Sequence, residues 1–373
     1  SGISNLGDEA VTLTDTSLTA SVLNTLDGNT SGTVNANTVS TLSGAATDLI
    51  TAYASGGISN LGDEAVSVSS GNASTSQANT LAAATSGVVT ATLSDGDLAT
   101  LSGLTETGNA YSITITDTSV DAAALNTLDG TTTGTIDAGN ITTLTGSASD
   151  LITAYASGDI TGLGNEAVTL SDTTLAVSVL NTLDGHTSGT IDAGTVTTLT
   201  GAAADLNTAY GSSGISNLGD EAVTLSDTTL AVSVLNTLDG HTSGTIDAGT
   251  VTTLTGAAAD LNTAYGSSSI SNLGDEAVTL SDTSLAASVL NTLDGNTSGA
   301  VNAALINELT GDANQINTSY ASGGIINLEE AAATQTPSIA LTTDINSLGV
   351  DQTATLSFSL SEASTDFVEA DVA

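Results

Sequence analysis

Val168–Gly185 reads VTLSDTTLAVSVLNTLDG, and Val223–Gly240, 55 residues on, reads VTLSDTTLAVSVLNTLDG again. The identity is wider still: Glu166–Ser213 and Glu221–Ser268 agree at all 48 positions. A repeat of this length outranks other signals, because a unit that cannot bury its own apolar face must stack on its neighbours. The tag NTLDG marks the copies, with its aspartate at Asp27, Asp129, Asp184, Asp239 and Asp294. The 102 residues between the first two hide a degenerate copy, NTLAA at Asn79–Ala83. That makes six copies, of which the third is shortened: Tyr111 runs straight into SITITDTSV, without the GISNLGDEA seen elsewhere.

Each unit divides again. LNTLDG at Leu235–Gly240 is echoed 26 residues later by LNTAYG at Leu261–Gly266, and 29 more lead to Leu290. Both halves open on a β-like stretch, VTLSD at Val223–Asp227 and GTIDA at Gly244–Ala248. The period then changes. After Asp227, read as an N-cap, Leu230, Val234, Leu235 and Leu238 follow helical spacing, and Gly240 closes the helix. Val251, Leu254, Ala258, Leu261 and Tyr265 continue in the same way, interrupted by Gly256. The expected fold is a β/α solenoid of short parallel strands and short helices, with two turns per 55-residue unit over residues 1–333. The alternative is an all-β parallel solenoid of about 18 residues per turn; LAVSVLNTL, poor as a strand and amphipathic as a helix, favours the first. In architecture this resembles leucine-rich repeats, although the LxxLxLxxN signature is absent.

Composition bounds the function. The 373 residues hold 41 Asp and Glu, no Lys or Arg, and a formal charge of −41. Nucleic acid and anionic membranes are excluded as partners, since both need cations against phosphate. At 39% hydrophobic, the chain can still bury a core, necessarily aliphatic with 6 Tyr, 2 Phe and no Trp. All six tyrosines occupy one position of the unit and read as core-closing residues with the hydroxyl at the edge. Without Cys there are no disulfides or thiolate metal sites. No run of 18 apolar residues exists, and the absence of Met reads as a processed product or a segment of something longer.

The carboxylates recur in register. One series is Asp15, Asp117, Asp172, Asp227 and Asp282. Another is the NTLDG set, and a third is the acidic pair Asp8/Glu9, Asp63/Glu64, Asp220/Glu221 and Asp275/Glu276. At two turns per unit, equivalent residues lie ~9.5 Å apart, twice the strand spacing. The Debye length is roughly 8 Å at physiological salt and about 3 Å at 1 M, so such ladders suit a saline exterior or bridging divalent cations. Ca²⁺ is the natural cofactor for an oxygen-only ligand set, at the NTLDG turns or the GDEA corners. The competing reading makes these aspartates caps and turn-formers. Ala82 and Ser70 replace aspartates in the second copy. His186 and His241, the only histidines, stand where other copies have Asn29, Thr131 or Asn296, and read as loop residues. No nucleophile–base–orienter set is visible, and nearly every acidic residue comes in copies, so the chain reads as non-enzymatic.

Around Ala331 the repeat fades into the only proline, Pro337. The segment 334–373 reads as a linker and a β segment containing Phe358 and Phe367. Its sequence PSIALTTDINSLGVDQTATLSFSLSEASTDFVEADVA closely resembles the opening of bacterial immunoglobulin-like domains found in tandem in very large surface proteins. Such a domain needs roughly 100 residues, which makes this one incomplete and its phenylalanines candidates for assembly contacts. The units GISNLGDEAVTLSDTTLAVSVLNTLDG and TVTTLTGAAADLNTAY resemble those of giant repetitive, adhesin-like cell-surface proteins of marine bacteria, cyanobacteria included. The calcium-binding nonapeptide GGxGxDxUx is absent. The resemblance implies an extracellular or cell-surface location and a non-enzymatic role. Two roles are expected: a homopolymeric building block of a filament or surface layer, or a stalk segment of a giant adhesin.

Overall fold

The computed structural model describes residues 7–329 and, beyond them, the strands Ile339–Thr343 and Leu356–Leu360 with positions 350, 353 and 355. The chain forms two compact units, Ser1–Thr252 with Ala264–Leu273, and Thr253–Thr263 with Gly274–Ala373. Twelve helices lie among the described residues: α1 (Ala20–Asn29), α2 (Ala46–Ala54), α3 (Thr75–Ala84), α4 (Leu98–Leu101), α5 (Ala122–Asp129), α6 (Ala148–Ala156), α7 (Val177–Asp184), α8 (Ala203–Gly211), α9 (Val232–Asp239), α10 (Ala258–Gly266), α11 (Ala287–Asn296) and α12 (Ala313–Ala321). Each copy of the repeat supplies two of them.

In the first unit the coils stack through parallel sheets. Thr174 pairs with Thr198, Thr198 with Ala222, Val223 with Ile246, and Ile246 with Ile270, each partner one coil further along. Inward side chains form a column, Leu175, Leu199, Val223, Ile246 and Ile270. Its three inner members are at most 1% exposed, against 7% and 8% for those on the sheet edges. Leu180, Leu206 and Leu235 from α7, α8 and α9 close the core at 0% exposure. Burial on this scale stabilises by about 1.5–3 kcal/mol per side chain.

The repeat length follows from this register. Two coils carry the chain from Thr174 to Ala222, but the strand equivalent to Thr174–Ala176 is Thr229–Ala231, seven residues beyond Ala222. A 55-residue unit is thus two coils plus one strand step. In the regular copies a sheet therefore ends after five strands and the next begins one step around. The sheet of Ser119–Asp121, Thr143–Gly146, Ala167–Leu170, Ile191–Asp192 and Ile215–Ser216 is one such run. The shortened third copy removes the step, and there a single sheet runs through seven strands, from Ser17–Thr19 to Ile160–Thr161.

The second unit repeats the pattern: Thr253–Gly256, Ala277–Leu280, Val301–Asn302 and Ile325–Ile326 pair in parallel, as do Ser284–Ala286 and Glu308–Thr310. Ile339–Thr343 and Leu356–Leu360 pair antiparallel, with Leu341 opposite Phe358. Phe367 and the rest of the immunoglobulin-like segment lie outside the described residues.

The strand–helix reading holds, with local corrections. Leu230 belongs to the strand Thr229–Ala231, and α9 starts only at Val232. Val251 precedes, and Leu254 lies within, a strand that ends at Gly256, so only Ala258 onward is helical. One glycine position of the repeat fixes how closely coils approach. A Cβ on Gly244 would fall inside the carbonyl oxygen of Glu221 in the preceding coil, and Gly189 meets Glu166 in the same way.

Candidate functional site: the polar contacts between coils

The GDEA pair splits. Asp8, Asp63, Asp220 and Asp275 are exposed corners, whereas Glu64, Glu221 and Glu276 are buried at 0–1%. Glu166, from the variant GNEA, is buried at 1% and is a full member of the set that the acidic-pair pattern missed. Its signal was there, 55 residues before Glu221. No cation meets these carboxylates. The hydroxyls of Tyr53, Tyr155 and Tyr210 donate to Glu64, Glu166 and Glu221 at 2.9, 3.2 and 3.0 Å. The N–H groups of Gly62, Gly164, Gly219 and Gly274 donate to the four carboxylates at 2.8–2.9 Å. From the following coil, Thr85, Thr187, Thr242 and Thr297 donate to the glutamate carbonyl oxygens. Glu9 differs: it is exposed and accepts from Gly7 N–H, which together with its own backbone holds its carboxyl below the usual range.

Burial first, and then the neighbouring carboxylate, pushes the phenols of Tyr53, Tyr155 and Tyr210 well above their ordinary value, so they remain neutral donors. Threonine hydroxyls oppose the shift in each case. His186 stacks on Tyr155 and His241 on Tyr210, with centroids 5.9 and 5.8 Å apart and planes within 5°. Tyr111 does not share the helical position of the other tyrosines that the sequence led one to expect, but lies in the strand Ala110–Thr114 and takes the glutamate's place: Thr132 donates to its carbonyl as Thr187 does to that of Glu166. Tyr111 is 1% exposed, its hydroxyl has no partner, and burial followed by Glu106 pushes it up to about 12.

The NTLDG aspartates, candidates for Ca²⁺, are half-buried at the helix ends and engage serines 28 residues on. Asp27, Asp129, Asp184, Asp239 and Asp294 accept from Ser55, Ser157, Ser212, Ser267 and Ser322 at 2.6–2.9 Å. Asp239 also accepts from Ser269. Among the described residues, no group of three or more His, Cys, Asp or Glu comes together that could hold a metal ion.

Asp117, Asp172, Asp227 and Asp282 cap helices, but not the ones that follow them. Each accepts the first helical N–H of the helix one coil earlier: Leu98 of α4 at 2.7 Å, and Ala148 of α6, Ala203 of α8 and Ala258 of α10 at 2.8 Å. Negative charge thus meets the positive end of a helix dipole across the coil boundary. α9, which follows Asp227, has Ala231 at its N-cap and no side-chain cap.

Two more contacts escaped the sequence reading. In LNT triplets the asparagine ties its helix to the next: Asn181 to the Asp205 carbonyl at 3.0 Å, Asn207 to that of Val234 at 3.0 Å, Asn262 to that of Val289 at 3.1 Å. Asp192 and Asp247 accept from the amides of Asn217 and Asn272 at 2.7 Å, and this bond, with the N–H of Gly194 or Gly249, lowers their carboxyls. Asn217 and Asn272 hold φ of 62°, a left-handed conformation asparagine tolerates. Asn35 with Asn60 and Asn302 with Asn327 repeat the pairing in the first and last copies.

Compared with known proteins, the chain matches no family model, no curated protein and no solved structure.

Proposed function

We propose that the chain is a non-enzymatic structural protein, a building block of a filament or surface layer outside a bacterial cell, assembled from copies of itself. The observation that carries the reading is where its polar chemistry goes. Serine, threonine, asparagine and aspartate side chains at repeat positions bond to the adjacent coil, copy after copy. A protein built around one reaction concentrates such groups at one place; this one distributes them along its length. The complete absence of Lys and Arg fits an exterior role. Like-charged chains stay apart in dilute buffer and approach when salt shortens the Debye length. Divalent cations, calcium first, would bridge chains through the outward carboxylates at Asp8, Asp63, Asp220 and Asp275.

Sedimentation velocity over a protein concentration series, in dilute buffer and then with added NaCl or calcium, tests this. The proposal expects mass to grow with concentration and with added cation. A single monomer mass under every condition would contradict it and favour a stalk segment of a giant adhesin.

A further inference from the structure

In a chain of repeated copies, the junction between the degenerate second copy and the shortened third is singular, and it opens a groove. Helix α4 has four residues where α6 and α8 have nine. Between α8 and α9, Asn207 reaches the carbonyl of Val234. α4 ends before any counterpart of Asn207, and Ala124 of α5, the counterpart of Val234, instead lines a cavity of about 430 Å³. One wall is Leu98, Leu101 and Leu104, and the other is Ala124 and Leu128.

The chemistry of the groove is one-sided. The lining hydroxyls are spent on their own helices: Ser102 donates to Ala99 O at 2.7 Å, Thr127 to Ala123 O at 2.8 Å and Thr131 to Leu128 O at 2.7 Å. No charged side chain lines it, and the chain has no cation with which to seat an acid group. A net charge of −41 further disfavours anions. Ligand cavities of roughly 300–1,000 Å³ with mainly apolar walls are the usual seats of small molecules.

We propose that the groove between α4 and α5 binds an uncharged, hydrocarbon-like small molecule, one per chain. The occupant takes the place of the helical turns that α4, the second helix of the second copy, lacks.

The test is a fluorescence titration of the full chain with N-phenyl-1-naphthylamine, a neutral apolar probe, beside its anionic analogue 8-anilinonaphthalene-1-sulfonate. The expected result is saturable binding of the neutral probe at one per chain and no saturable binding of the anionic one. Ala124→Phe and, separately, Ala99→Phe fill the groove from opposite walls at exposed positions, and each should abolish binding. Ala204→Phe, on the exposed face of α8, should leave it unchanged, and circular dichroism shows which variants keep the fold. No saturable binding, several probes per chain, or binding that survives both groove substitutions in folded protein would overturn the proposal.

Discussion

Tyr210 donates its phenolic hydrogen to Glu221 at 3.0 Å, and Glu221 is 1% exposed in a chain without a single Lys or Arg. A buried carboxylate ordinarily takes a cationic partner or several hydrogen bonds, because desolvation of the charge is costly. Here the bonds come from neutral groups, the tyrosine hydroxyl and the Gly219 N–H. The pair sits where the Thr242 hydroxyl of the next coil meets the Glu221 carbonyl. The same unit recurs at Tyr53 with Glu64 and Tyr155 with Glu166, so one solution to the cation-free core is copied along the chain.

Replacing that donor should therefore cost stability out of proportion to one oxygen atom. Tyr210→Phe leaves a buried acceptor short of a partner and is expected to destabilise by about 1–3 kcal/mol. Urea unfolding measures the loss. Glu221→Gln in the Tyr210→Phe background should recover part of it, because the uncompensated charge is gone.

Alkaline pH should unfold the protein. The ordinary phenol value is 10.0, and Tyr53, Tyr155 and Tyr210 are raised above it in the folded state. A raised value means the folded state holds the proton longer than the unfolded chain. The contribution is full below about pH 10 and is lost as pH climbs toward the folded-state values. Tyrosinate absorbance should thus appear together with the loss of circular dichroism. Ionisation of these tyrosines in a still-folded protein would contradict the pairing.

Asp227→Ala separates capping across coils from capping along the sequence. The expected loss is about 1 kcal/mol. Hydrogen exchange should show it at the first turn of α8, around Ala203, and not at the start of α9, which lies closer in sequence.

Two glycines four residues apart, which the sequence would treat alike, behave differently in space. A Cβ on Gly240 meets only ordinary neighbours, the nearest being Thr237 O at 3.4 Å, whereas on Gly244 it overlaps the Glu221 backbone. Gly240→Ala should be close to neutral. Gly244→Ala forces the coils apart and is expected to cost about 1 kcal/mol or more, read as a lowered thermal midpoint.

What the sequence made legible was the part written in local periods. Leu235 and Leu238 follow helical spacing and lie inside α9, and the echo of LNTLDG in LNTAYG marks successive helices. Strands of two residues, such as Ile246–Asp247, carry no period at all, and the four residues Thr253–Gly256 fit a helical spacing as well as a strand. The partners of Asp227 and Glu221 illustrate the second limit. Glu221 finds Tyr210 only 11 residues away, yet nothing in GDEA says which carboxylate turns inward. Asp227 finds Ala203 24 residues back, and a local N-cap motif cannot distinguish that helix from the next.

Electron microscopy of the native protein, in millimolar calcium and then in chelator, tests the structural role most directly. The account predicts periodic filaments or sheets in calcium that come apart when the cation is removed. Dispersed single particles under both conditions would contradict it.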